Sequence, residues 1–279
     1  MNIKIADREF SFEEFRAIAQ SKKAVSDPMY RKLIVRKISI FLTIICLRLK
    51  ISANAITSLS MFFGVGAFIA FIANGYAGLL MALLFMQLWY VFDTVDGEIA
   101  RYYRHINNTE DKLALSGLFF DNINHHLIHA LIIFGFSMAV FELYLDIKVL
   151  IAGFLLMLDV MFVRLISDLK ATAFMSRITK KKNLLVLTNA YTIPSGNTGI
   201  KARIFSVIFS LFLFPKILNI LSVLIILLMA SKFNFTGAIA FIIICYAALG
   251  TMVMFVKVYR IISAKRPEEE YNKRFKEIE

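Results

Sequence analysis

Asp93-Thr94-Val95-Asp96-Gly97-Glu98-Ile99-Ala100-Arg101 and, after a polar gap, Gly117-Leu118-Phe119-Phe120-Asp121-Asn122-Ile123-Asn124-His125 are the two stretches that decide how this chain is read. Both stand at the ends of long apolar runs. An ionisable side chain is costly to keep there, so carboxylates in that setting are functional candidates by default. If the first stretch continues a helix, each residue turns by about 100° and Asp93, Asp96, Gly97 and Ala100 share a face, with Arg101 beside it. In the second stretch Gly117, Asp121, His125 and His129 follow one another at i+4 steps and form another face. Packed together, the two faces enclose three carboxylates and an imidazole among small residues. Hard divalent cations such as Mg²⁺ or Mn²⁺ prefer carboxylate oxygen. Arg101 has the planar fork that suits a diphosphate.

Those residues resemble the signature of the CDP-alcohol phosphotransferases (CDP-alcohol phosphatidyltransferases), Asp-x2-Asp-Gly-x2-Ala-Arg followed by Gly-x3-Asp-x3-Asp. Asp93, Asp96, Gly97, Ala100, Arg101, Gly117 and Asp121 match. Two positions depart from it: the segment 102–116 is longer than the usual gap, and His125 stands where the family has its fourth Asp. The resemblance implies an alcohol hydroxyl attacking the β-phosphorus of a CDP-linked alcohol, with release of CMP. It implies one or two Mg²⁺ or Mn²⁺ ions held by Asp93, Asp96, Asp121 and His125. It also implies a six-helix membrane bundle, commonly a homodimer. Gly97 and Ala100 would admit the cytidine end, Gly117 would let helices approach, and Arg101 would assist the leaving charge. The family's residue at position 125 is thought to deprotonate the attacking hydroxyl. An imidazole titrates near neutral pH and can serve as that base, or as a metal ligand. His129, one turn on, is placed to orient it.

Composition sets the class. The 279 residues are 59% hydrophobic with a mean hydropathy of +0.70, well above the roughly 45–50% of soluble domains, so an all-α integral membrane protein is expected. The net charge of +12 reads as basic inner loops and contact with anionic lipid rather than nucleic acid. Cys46 and Cys245 lie in apolar runs and imply no disulfide framework.

Taken in order, residues 1–27 are a polar cytoplasmic segment. In it Ser11 and Glu14 form a capping box before a short helix, with Phe10 and Phe15 as its staple. The membrane domain is expected over 28–262. It opens with a basic amphipathic helix (28–50) in the headgroup region, where Arg31, Lys32, Arg36 and Lys37 alternate with Leu33, Ile34, Ile38 and Phe41. Ser52-Ala53-Asn54-Ala55-Ile56-Thr57 stands where the family often has Pro-Asn-x-x-Thr, with Ala53 in place of the Pro; beside the main motif this makes Asn54 and Thr57 nucleotide-site candidates, the other reading being an ordinary capped helix start. Six spans of about 20 residues are then expected, near 55–73, 77–100, 114–140, 148–170, 204–230 and 236–260, with Pro215 kinking the fifth. Arg164 and Asp168 in the fourth are an i,i+4 pair, read either as mutual neutralisation or as Arg164 binding a substrate phosphate. The loop 180–203 is read as a connection, and 263–279 as a charged cytoplasmic tail.

With both termini inside, all Lys and Arg except Lys148, Lys216 and Lys232 fall on or near the inner side. This asymmetry orients the chain and puts the Asp93 motif near the cytoplasmic face. The function expected is transfer of a substituted phosphate from a CDP-alcohol to an acceptor alcohol, at least one of the two being a lipid, in phospholipid or related lipid biosynthesis. The residues do not choose among CDP-alcohols or acceptors. Two other classes remain: a non-catalytic family member acting as a partner or scaffold, and a cation-coupled transporter, for which no pair of broken helices in matching halves gives support.

Overall fold

The computed structural model describes residues 2–5, 8–24, 29–73, 75–107, 115–180, 185–187, 216–232, 234–263 and 275–277. It is all-α apart from two short antiparallel strand pairs. β1 (Asn2–Ile5) pairs with β2 (Arg8–Ser11), and β3 (Leu185–Leu187) with β4 (Phe275–Glu277). The helices are α1 (Phe12–Ala24), α2 (Arg36–Arg48), α3 (Ala53–Ile72), α4 (Gly75–Ile106), α5 (Leu115–Tyr144), α6 (Ile147–Lys180), α7 (Lys216–Ala230) and α8 (Thr236–Ser263). Among the described residues α3, α4, Ser116–Tyr144 and Thr236–Val256 are long and apolar enough to cross a membrane. The chain is therefore membrane-embedded. Of the expected fifth span only α7 is described; Pro215, most of the 180–203 loop and most of the tail lie outside the described residues.

Local chemistry accounts for the helix starts. Ser11 Oγ accepts from Glu14 N at 3.2 Å, and the Phe10 and Phe15 rings meet with centroids 6.5 Å apart, so the cap and staple form together. Ser52, with extended backbone, accepts from Ala55 N at 3.2 Å and starts α3. Gly75 takes φ +72°, a left-handed turn that a side chain would disfavour, and α4 starts from it. Asp146 Oδ1 accepts from Lys148 N between α5 and α6.

α4 organises the packing. It lies against α3, α2, α1 and α7; α3 also packs on α5, and α5 and α6 both pack on α8. Trp89, Met86 and Ile99 of α4 are fully buried, with Phe71 of α3 and Ile128 and Phe136 of α5. At about 1.5 Å per residue, the 32 residues of α4 span about 48 Å, against about 30 Å of hydrocarbon. It is thus longer than the slab is thick, and its C-terminal turns carry the Asp93–Arg101 motif.

α2 has its polarity turned inside out. Arg36, Ser39 and Thr43 are buried against α4, whereas Ile34, Ile38, Phe41, Ile45 and Leu49 form an exposed apolar stripe. A turn of π-helix, Arg31–Val35, leads into it.

Candidate metal centre

Asp93 on α4 and Asp121 and His125 on α5 converge. One ligand atom from each lies within 4.8 Å of the others. His125 Nε2 stands between the two carboxylates, 3.2 Å from Asp93 Oδ1 and 3.3 Å from Asp121 Oδ1. The other ring nitrogen, Nδ1, is 3.3 Å from His129 Nε2, and both imidazoles stand near-perpendicular to the Trp89 ring. The i+4 spacing of Asp121, His125 and His129 on one helix produces this column.

Asp93 Oδ1 is buried and, among the described residues, accepts no hydrogen bond of ordinary geometry, although His125 Nε2 faces it. A buried carboxylate oxygen left in this state is costly and calls for a cation. Two carboxylates and an imidazole form a donor set that a divalent metal accepts. Asp93, Asp121 and His125 are thus a group that could hold a metal ion.

Asp96, the other carboxylate expected in this set, has a partner of its own. It turns toward α3, where Thr57 Oγ1 donates to Asp96 Oδ2 at 2.7 Å. It stays within electrostatic reach of Asp93 and Asp121, but it is not one of the three converging ligands. The same hydroxyl oxygen lies 3.1 Å from Ala53 O. Ser60 donates to Thr57 O, and Asn124 Nδ2 donates to Ser60 Oγ at 2.9 Å. Trp89 Nε1 lies 3.4 Å from Asn124 Oδ1. A buried polar chain thus links α3, α5 and α4 behind the cluster.

The small residues open the other side. A methyl placed on Gly97 would lie 3.2 Å from Arg101 Nη1, and one on Gly117 would lie 3.4 Å from Asn54 Oδ1. Asn54 therefore faces Gly117, and the Arg101 fork lies over Gly97. Arg101 Nε donates to Ala19 O of α1 at 2.5 Å, which fixes the guanidinium from outside. Ala100 accepts from Arg104 Nε at 3.3 Å through its carbonyl. The structure thus brings Asp93, Asp121 and His125 into one cluster, and sets Thr57–Asp96, Asn54–Gly117 and Gly97–Arg101 as pairs around it.

Arg164 lies on α6, but its side chain is outside those described. Asp168, its expected neutralising neighbour, is 3.2 Å from His126 Nε2 across the α5–α6 interface. His126 Nδ1 is 2.8 Å from Asn122 O, so this imidazole serves helix packing and not the cluster.

Two residues carry more than sequence reading assigned. Arg31 Nη2 is 3.4 Å from Asp93 Oδ2 and 3.0 Å from Thr94 Oγ1. Glu98 is fully buried. Its carboxylate accepts from Gln20 Nε2 (2.8 Å), Arg36 Nη1 (3.3 Å), Ser39 Oγ (2.8 Å) and Thr43 Oγ1 (2.7 Å). The signal for Glu98 is present in the sequence: Arg36, Ser39 and Thr43 repeat at helical spacing in an otherwise apolar helix. Beside the site, Tyr30 donates to Gln87 Oε1 at 2.6 Å, and burial raises its phenol pKa above the ordinary value. No family model matches the chain, and no curated protein matches it either.

Proposed function

We propose that the chain is a membrane CDP-alcohol phosphotransferase that moves a substituted phosphate from a CDP-linked alcohol to an acceptor alcohol and releases CMP. One observation carries this reading: Asp93, Asp121 and His125 offer ligand atoms within 4.8 Å of one another, in helices that also bear Gly97, Ala100, Arg101 and Gly117 at the family's spacing.

In this reading Asp93, Asp121 and His125 would hold an Mg²⁺ or Mn²⁺ ion, which would supply positive charge to the diphosphate and the departing CMP. The acceptor oxygen forms a bond to the β-phosphorus, the bond from that phosphorus to the CMP oxygen breaks, and CMP departs with the electron pair. The hydroxyl proton passes to Nε2 of His125 where the ion is held by the carboxylates Asp93 and Asp121 without it, and the other ring nitrogen faces His129. Asn54, Thr57, Gly97, Ala100 and Gly117 line the nucleotide side, Arg101 meets the diphosphate, and Arg164 is assigned to a phosphorylated substrate. The exposed apolar stripe of α2 supports a place in the headgroup region, and one substrate is a lipid. We assign six spans, cytoplasmic termini, a site near the cytoplasmic face and a homodimer to this reading.

The test is CMP release by the purified protein in detergent, with a panel of CDP-alcohols and acceptors and Mg²⁺ or Mn²⁺. Release that needs metal and is lost in Asp93→Ala supports the transferase. Metal binding with no release from any pair turns the assignment to a non-catalytic scaffold, and metal-dependent uptake into vesicles without CMP turns it to a transporter. His125→Ala separates two roles: loss of turnover with unchanged Mn²⁺ affinity marks a base, and loss of both marks a ligand.

A further inference from the structure

Arg101 of the motif stands on the face of α4 that receives the N-terminal unit. Glu98, Arg101 and Tyr102 follow at helical spacing and share that face. Each of them meets a residue of β2 or α1. Gln20 Nε2 donates to Glu98 Oε1 at 2.8 Å and to Arg36 O at 3.0 Å. The Tyr102 ring packs on Phe10 and Phe15, with centroids 6.0 and 5.9 Å apart. Arg101 Nε donates to the carbonyl of Ala19 at 2.5 Å. Phe15 and Ala19, four positions apart on α1, are fully buried, and Gln20 is 4% exposed. Apolar and polar contacts together thus seat α1 on α4.

Two anchors define the plane of the Arg101 guanidinium. Nε is tied to Ala19, while Nη1, Nη2 and the guanidinium carbon lie 3.2, 3.7 and 3.8 Å from where a methyl on Gly97 would be. The fork therefore occupies the space that a side chain at position 97 would take. A free arginine loses much rotamer freedom when it grips a ligand. One that is already held in a single orientation loses less, and the binding it supports gains accordingly. The acceptor that holds Arg101 lies 82 positions earlier in the chain, in the N-terminal unit.

We propose that β1, β2 and α1 form a positioning element of this site. They hold the Arg101 guanidinium over Gly97, and Phe15 and Gln20, the side chains that seat the element, act through Arg101. This rests on the reading of Arg101 as a contact of the diphosphate, so one arm of the test does not use that reading. In it, full-length protein in detergent is treated with phenylglyoxal, which modifies arginine, and the rate at Arg101 is followed by peptide mass spectrometry. Phe15→Ala is expected to raise that rate about tenfold, the worth of one hydrogen bond to a charged group. Phe15→Leu, which keeps apolar bulk, is expected to stay within about twofold of wild type. Gln20→Met keeps the length and removes the donor, and a smaller rise is expected. It carries the test if Phe15→Ala shows no cooperative thermal transition. Rates unchanged in Phe15→Ala and Gln20→Met overturn the hold on Arg101.

The second arm is calorimetric titration of the same proteins with CDP in the presence of Mn²⁺. Phe15→Ala is expected to weaken CDP about tenfold. In an Arg101→Lys background, which keeps a charge and lacks the fork, the same change is expected to cost less than about twofold. The cycle is repeated with Gln20→Met. CDP bound as tightly by these variants as by wild type, or an equal fall in both backgrounds, overturns the positioning role. Wild type that takes no CDP overturns the transferase reading, while a raised phenylglyoxal rate in Phe15→Ala still supports the hold on Arg101.

Discussion

Thr57 of α3 donates its hydroxyl to Asp96 of α4 at 2.7 Å, and this bond holds one oxygen of the second motif carboxylate beside the cluster that Asp93 joins. A methyl in place of that hydroxyl keeps the shape and removes the donor. In Thr57→Val the buried Asp96 loses its partner, at a cost of about 1–3 kcal/mol. The expected outcome is a lower apparent melting temperature in detergent together with at least about a tenfold fall in CMP release. Melting unchanged and release unchanged would show that Asp96 is held by something else.

The two histidines that flank His125 in helical register have opposite expectations. His129 braces His125 through its ring nitrogen, in the way outer partners orient metal ligands. Removing such a partner costs about 10–100-fold in metal affinity or activity. His129→Leu is expected to fall in that range when Mn²⁺ binding is followed by electron paramagnetic resonance. His126, paired with half-exposed Asp168, belongs to a surface interaction worth at most about 1 kcal/mol, so His126→Ala is expected to bind Mn²⁺ as wild type does.

Glu98 predicts a stability effect separable from chemistry. Glu98→Ala leaves Arg36 buried without its carboxylate, a change that costs about 3–5 kcal/mol. For a chain of this size that is a drop on the order of 10 °C in apparent melting temperature. Glu98→Gln, which keeps an acceptor for Ser39 or Thr43, is expected to lose less. Equal melting of all three proteins would refute the buried hub.

Gly64 tests the α3–α5 seam. A methyl added there falls onto the Ile128 side chain, and overpacking of this kind costs about 1–3 kcal/mol. Gly64→Ala is expected to melt lower, and the pair Gly64→Ala with Ile128→Val to recover part of the loss.

What the sequence made legible follows from range. The i+4 column Asp121–His125–His129, the Ser11 and Ser52 caps and the apolar runs of α3, α4, α5 and α8 are local patterns, and local patterns survive into the fold. Placing Asp96 on the Asp93 face was also a local argument. It says nothing of the bond from Thr57, which comes from another helix. The partners of Glu98 lie 55 to 78 positions away, and Arg31 is 62 positions from Asp93. No periodicity reports contacts of that length. The β1–β2 hairpin is hidden for a different reason: four-residue strands carry too little alternation to stand out.

The inverted polarity of α2 has a consequence for how the protein is made. Arg36, Ser39 and Thr43 leave the ribosome well before Glu98, so during synthesis their inner partner does not yet exist and water and lipid headgroups must stand in for it. The arrival of α4 then converts a loosely floating segment into a seated one, which makes position 98 a checkpoint in the birth of the chain. Cys46, buried on α2, is the sole thiol before Cys245 and reports that event. In nascent chains of increasing length, Cys46 is expected to react with a maleimide until α4 has emerged and to become protected afterwards. In chains carrying Glu98→Ala the protection is expected to come late or not at all.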